Sequence, residues 1–421
     1  MSNWTEILYL IAILIESALL FYLECKIWKT LYTPLNFLML PYLIVLLITI
    51  MVAGSELGFV EFYYPSILIW NVGLLIFFLP SLILGLLMTY NGKNVVSQHP
   101  SDNIPISIKF LLIVVALLFL IRLRSSLGSS VEGELGSKQF SDEFSGGGLW
   151  GHLRILTLPL LMMSIFYVSK KRWWLWPIIL IFLSVSILNQ VVGWIVIPVF
   201  GAIVMRLYSG KTRLTVKLVL LALSGAFLVF FAAYALAILV VQSRGVDDAF
   251  LDFIFMHFLH YFTSGVLGLS MDMQFNFPDA GNFEILWAPI VNLINVVVGI
   301  DDMVSPVNPC YYNSGINLTN VRTFFGTIYI YTTSLQFIVY LLLSSTLMYL
   351  LKLATIKWKN IYVYVIYFFE CGLLAMGWFE FYYFHLVVFE LPVIVALLWF
   401  LEWGLRNKKD SCYKTDECIS R

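Results

Sequence analysis

Charge is scarce in this chain. Lys, Arg, Asp and Glu make up 12% of its 421 residues, against about 25% in an ordinary soluble domain. With 61% hydrophobic residues and a mean hydropathy of +0.90, that shortage excludes a soluble globular domain and calls for long segments buried in lipid. The net charge is zero, so nucleic acid is not expected as a partner. Cysteine is equally thin. Of five, only Cys310 is expected on the external side, so no disulfide framework is expected there. No Cys/His grouping has metal-ligand spacing, no nucleotide-binding motif is present, and no cofactor is expected. No cleavable leader is expected either: residues 1–6 lack a basic stretch and no small-residue cleavage site follows, so the first span is expected to insert uncleaved. No internal repeat is found, which weighs against transporters built from inverted halves.

What the chain does have is a series of apolar runs. Eleven of them, at 7–23, 35–53, 67–88, 108–121, 153–168, 175–188, 191–207, 218–241, 326–351, 361–376 and 384–401, are separated by polar connections. They predict an all-α polytopic integral membrane protein with about 11 transmembrane helices in a single transmembrane domain. The cations sort by side. Only Arg122, Arg124, Lys138, Arg154, Arg244 and Arg322 fall on one side, which leaves 19 of the 25 Lys and Arg on the other. Lys and Arg are retained in the cytoplasm during insertion, so the N-terminus is placed outside and the C-terminus inside, with a cytoplasmic tail over 406–421. Two large external loops follow from this register, 124–152 and 242–325. The first is rich in Gly and Ser. The second is about 84 residues long, too many for a plain connector. Its apolar stretches, 249–269 and 285–300, read as interfacial or re-entrant helices. If both crossed, the count would be thirteen with the orientation elsewhere unchanged.

The external arginines are the first candidates for chemistry. Arg122, Arg124, Arg154, Arg244 and Arg322 all sit at or near the ends of spans that border the two loops. A guanidinium offers a fork of donors that fits phosphate and stays charged at any working pH. A helix-end arginine reaching for headgroups is the plain alternative for each. The second loop carries eight acids against Arg244 and Arg322, so any anion site there must be a local arginine pocket. The same loop holds the densest titratable set. Asp252, His257 and His260 are candidates for a general base, with the histidines three apart on one helical face. Headgroup anchoring in an interfacial helix is the competing reading of that pair. Glu16, Glu370 and Glu390 fall within spans, where ionisable groups are costly. Aromatic clusters at 59–64, 311–312 and 378–384 offer faces for stacking on sugars, or serve as interfacial belts.

Three stretches carry a family resemblance. Asn320-Val321-Arg322-Thr323-Phe324-Phe325-Gly326, His260-Tyr261-Phe262-Thr263-Ser264-Gly265 and Asn71-Val72-Gly73, on this architecture, resemble the bacterial oligosaccharide repeat-unit polymerases of the Wzy group. One departure is Tyr331-Thr332-Thr333-Ser334, where the family often has an acidic Asp-Phe-Gly-like run. The resemblance implies a membrane glycosyltransferase of O-antigen, capsule or exopolysaccharide synthesis, working at the outer face of the bacterial inner membrane. It implies a polyprenyl-diphosphate-linked oligosaccharide as substrate, and a flippase and a chain-length regulator as partners beside the lipid bilayer. It also implies that Arg122, Arg124, Arg154, Arg244 and Arg322 handle the diphosphate, with no metal required. An O-antigen ligase, or a flippase or transporter of the same lipid, are the alternatives.

Overall fold

The apolar runs become helices because a backbone in lipid must satisfy every N–H and C=O within its own segment. The computed structural model describes residues 3–90, 100–129, 140, 144, 147–188, 193–235, 248–275, 280–305 and 307–419. The helices are α1 (Asn3–Trp28), α2 (Pro34–Val52), α3 (Ile67–Tyr90), α4 (Ile106–Ser129), α5 (Gly148–Tyr167), α6 (Leu175–Leu188) and α7 (Gly193–Tyr208). They continue with α8 (Val216–Ala235), α9 (Asp248–Gln274), α10 (Ala288–Val298), α11 (Phe324–Ile330), α12 (Ser334–Lys357), α13 (Ile361–Ala375) and α14 (Leu386–Ile419). A two-stranded antiparallel hairpin, β1 (Tyr312–Asn313) and β2 (Leu318–Thr319), pairs Tyr312 with Thr319. Among the described residues nine helices are long and apolar enough to cross a membrane. Large apolar side chains on their outward faces stay exposed, among them Leu8, Ile15 and Leu19 of α1 and Ile83, Leu86 and Leu87 of α3. In lipid that exposure is the favourable state. The chain is a multi-pass membrane protein.

The described chain divides into two compact units. The first comprises 1–98, 245–357 and 369–388; the second comprises 99–244, 358–368 and 389–421. In the first, α3 lies against α1 and α12. Gly85 makes the α1 contact possible, since a Cβ there would come within 2.1 Å of the Ile27 side chain. Close helix approach through small residues is the usual packing device in lipid. The core is aromatic: Trp70 stacks on Tyr42 at 3.4 Å between ring centroids, meets Phe325 edge-on at 4.7 Å, and donates its Nε1–H to the Thr323 hydroxyl at 3.1 Å. In the second unit, α5 packs against α6 and α7. Gly201 of α7 closes to within contact of the Phe368 carbonyl, which a Cβ would meet at 2.5 Å.

Two details depart from the sequence reading. The run 326–351 is interrupted: α11 ends at Ile330, and α12 starts afresh at Ser334. The Thr333 hydroxyl accepts from the Gln336 N–H at 3.4 Å while the Gln336 side chain accepts from the Thr333 N–H at 2.9 Å. That reciprocal capping box fixes a helix start. As a result Lys352, one of the 19 cations assigned to the cytoplasmic side and expected just past the span 326–351, lies inside α12 with no exposed surface. The second large loop is also largely helical. Its first apolar stretch becomes the 27-residue α9, which packs on α2. Both 250–274 and 281–298 have the length and hydropathy of membrane spans rather than of short interfacial pieces.

Candidate functional site

The first unit places Arg322 where no phosphate can reach it. Its side chain has no exposed surface, and Nε and Nη2 both donate to Asp272, the Nη2–Oδ1 bond measuring 3.1 Å. Nη1 donates to the Val321 carbonyl at 3.0 Å and Nη2 to the Cys310 carbonyl at 3.4 Å, while the Tyr312 ring covers the guanidinium at 5.0 Å. Tyr312 also hydrogen-bonds to Asp272. Burial, then the Asp272 charge, push its phenol up to about 12, so it stays a donor. Gly268 of α9 makes room for this pair, since a Cβ there would stand 2.4 Å from the Val321 carbonyl. The expectation that Arg322 handles a diphosphate is therefore corrected. A buried, bidentate pair holds the hairpin onto α9.

The α9 candidates fare similarly. His260 is buried, and its Nδ1 lies 3.0 Å from the Ser314 hydroxyl in the hairpin turn. That turn is tight: Gly315 has φ +97, and a Cβ on it would lie 2.0 Å from the Gly58 carbonyl. The imidazole is a brace, not a base open to substrate. His257 is half-buried and packed between the rings of Phe253 and Tyr261. Asp252 is exposed, and no described bond ties it to either histidine. The three do not form one constellation.

In the second unit, Arg122 and Arg154 both lie at the start of α5, Arg122 through the Trp150 ring and Arg154 on the helix itself. Arg122, near the end of α4, is half-buried, with its guanidinium over the Trp150 ring at 5.2 Å and its Nε–H donating to the Phe144 carbonyl at 3.4 Å. Phe144 anchors that arrangement, fully buried and stacked on Phe140 at 5.8 Å. Two residues beyond Trp150 on α5 stands His152, whose Nδ1 is 2.6 Å from Oε1 of Glu390. Arg154 is half-buried and acted on by the same Glu390 carboxylate. Glu390 is mostly buried, and its Oε2 has no hydrogen-bond partner among the described residues. Arg124, two residues along α4 from Arg122, is exposed. Arg244 lies outside the described residues.

This end of the second unit has the parts of an acid–base site beside an anion site. A carboxylate on Nδ1 sets the imidazole tautomer and leaves Nε2 as acceptor, the arrangement that makes a histidine a directed base. The His152 side chain is 61% exposed, so its far edge is open to a substrate. The α5 N-terminus adds to the positive potential. Its N-cap is Gly147, without a side-chain cap, and no acid stands in the first turn. Unsatisfied N–H groups there favour an anion. The chain belongs to DUF6337. It matches this family of unknown function over residues 58–407. The DUF6337 segment contains Arg122, Trp150, His152, Arg154 and Glu390, as well as the Arg322–Asp272 pair. No curated protein and no solved structure matches the chain.

Sequence reasoning missed His152, which served there only to bound the first loop. Its signal was available as one of five histidines at the start of an apolar run, two residues from a singled-out arginine. A second group was missed. Glu24 of α1 has no exposed surface, and its Oε1 accepts from the Tyr349 hydroxyl at 2.6 Å and from Ser81, which itself accepts from Trp28 Nε1 at 2.8 Å. The Lys352 charge acts on this carboxylate, and its Nζ donates to the Tyr32 carbonyl at 2.7 Å. The spans are thus less free of charge than their composition suggests.

Proposed function

We propose that this protein polymerises polyprenyl-diphosphate-linked oligosaccharide repeat units at the outer face of a bacterial inner membrane. The observation that carries the reading is His152 held by Glu390, a carboxylate that also acts on Arg154, with Arg122 on the Trp150 ring of the same helix start, on the side that loop charge assigns to the exterior. His152 Nε2 takes the proton of an acceptor sugar hydroxyl. The freed oxygen bonds to the anomeric carbon of the donor, and the bond from that carbon to the lipid diphosphate breaks. The leaving diphosphate gains negative charge as it departs, which Arg154, Arg122 and Arg124 stabilise in place. Proton removal by a positioned base is worth about 10²–10⁴-fold in rate. The remaining demand falls on holding donor and acceptor together.

A transporter of the same lipid is the second reading, favoured by the buried Glu24 and Lys352, since charge inside spans often marks a translocation path. Deleting the gene in its host and complementing with wild type, His152→Ala or Arg154→Ala separates the two. With polymerase activity, wild type restores a glycan ladder on gels, and both variants, at normal protein level, yield a single repeat unit on its usual carrier. Lipid-linked units trapped inside the cell indicate the transporter. Full-length polymer stranded on the lipid indicates a ligase. A ladder unchanged by the deletion overturns the proposal.

A further inference from the structure

The first unit contains a cavity of about 440 Å³ that the chemistry above does not use. It falls within the roughly 300–1,000 Å³ of small-ligand sites. Its polar lining is Asn282, Glu284, Ser305, Asn308, Tyr311 and Tyr331. Amides, a hydroxyl, one carboxylate and two phenols are groups that bind neutral hydroxyls, and Glu284 is the only carboxylate or cation among the lining residues. Tyr311 is 57% exposed, whereas Phe59, Phe62, Trp378, Phe381, Tyr382 and Phe384, from the other candidate aromatic clusters, are buried.

The wall of this cavity is an irregular loop pinned at both ends. Asn292 on α10 donates to the Val304 carbonyl at 2.9 Å and accepts from the Val304 N–H at 2.7 Å, and Asn295 donates to the Asp302 carbonyl at 2.6 Å. At the other end, Asn320 donates to the Asn308 carbonyl at 3.4 Å and Arg322 to the Cys310 carbonyl at 3.4 Å. The Asn308 side chain turns the chain by accepting from the Cys310 N–H at 3.0 Å. Five side chains thus fix a backbone that no regular element would hold. A pocket held in shape before its ligand arrives binds without the cost of ordering it.

We infer that this cavity is a glycan-recognition site for a neutral or amino sugar, with Tyr311 stacking on the ring face and Glu284 and Asn282 accepting from its hydroxyls. The choice of a glycan over another polyhydroxy ligand rests on the proposed function. Glu284 discriminates against uronic acids by placing like charges together.

The test is saturation-transfer NMR on the full chain in lipid nanodiscs, which avoid sugar detergents. The probes are the methyl glycosides of glucose, galactose, N-acetylglucosamine, glucosamine and glucuronate. Saturation of at least one neutral or amino sugar is expected, falling to background in Tyr311→Ala and Glu284→Ala but kept in Tyr311→Phe. Both side chains are exposed, so the variants are expected to remain monodisperse. Silence from every sugar, equal signals in wild type and both alanine variants, or preference for glucuronate overturns the inference. A ladder that still depends on His152, with no sugar signal at this cavity, refutes the pocket and leaves the polymerase standing. Sugar signals that vanish with Tyr311, beside a ladder indifferent to His152, do the reverse.

Discussion

Arg322 separates two accounts of this molecule, and removing it decides between them. As a diphosphate ligand it would be dispensable for folding and essential for activity. The geometry assigns the opposite. Arg322→Ala deletes both bonds to Asp272 and those to the Val321 and Cys310 carbonyls. Asp272 would then be left 3% exposed with Tyr312 as its described donor. An uncompensated buried charge of this kind costs about 3–5 kcal/mol, the scale set by losing two charge-assisted bonds to Asp272 at about 1.5–3 kcal/mol each. Arg322→Lys keeps the charge but not the planar fork, so it should recover only part of the loss. Asp272→Leu combined with Arg322→Met removes both charges at once. That double variant should be more stable than either Arg322→Ala or Asp272→Ala, because neither charge is left alone. The assay is heat challenge of the purified protein in detergent, with the surviving monodisperse fraction read by size-exclusion chromatography. Arg322→Ala with wild-type heat resistance, in a background where it abolishes the glycan ladder, would refute the structural account and restore Arg322 to the site.

Three further outcomes are expected. Glu390→Gln keeps the shape beside His152 but loses the charge that steadies an imidazolium, so the ladder should shorten while protein level holds; a normal ladder removes Glu390 from the mechanism. Gly268→Ala would put a Cβ 2.4 Å from the Val321 carbonyl and should destabilise by about 1–3 kcal/mol. Gly225→Ala on α8, with nothing within 4 Å of its Cβ, should be neutral or stabilising by up to about 1 kcal/mol; equal heat resistance of the two variants would contradict the packing argument. Glu24→Gln or Lys352→Met alone leaves one charge buried in α1 or α12, whereas the double variant leaves none and should survive heating better than either. Losses that simply add would show the two groups uncoupled.

The helices were legible because lipid demands long apolar runs, and that demand is written in composition. α6 was placed to the residue and α3 to within two. What was not legible is instructive. The expected span 326–351 overran the break at 331–333 because a capping box uses Thr and Gln, which do not interrupt an apolar average. The same overrun put Lys352 in a loop when it lies inside a helix. The stretches 249–269 and 285–300 carried no flanking cations, the signal that loop-charge reasoning needs, and so were assigned to the interface. The arginines show a deeper limit. Charge asymmetry identified Arg122, Arg154 and Arg322 as unusual, and each does hold a specific contact. The reason differs, and pattern alone cannot supply it. Arg322 sits three residues before a close-packed aromatic turn and finds Asp272 fifty residues earlier, a pairing only the folded chain reveals. Arg122 and Arg154 meet a helix start and a carboxylate from α14, with part of their surface still open. The motif Asn320-Val321-Arg322-Thr323, which carried the family resemblance, accordingly reads as scaffold: Asn320 and Arg322 pin a loop, and Thr323 caps α11 and accepts from Trp70. A stretch that stands out in the sequence can thus shape a pocket wall, while the candidate acid–base groups lie elsewhere in the chain.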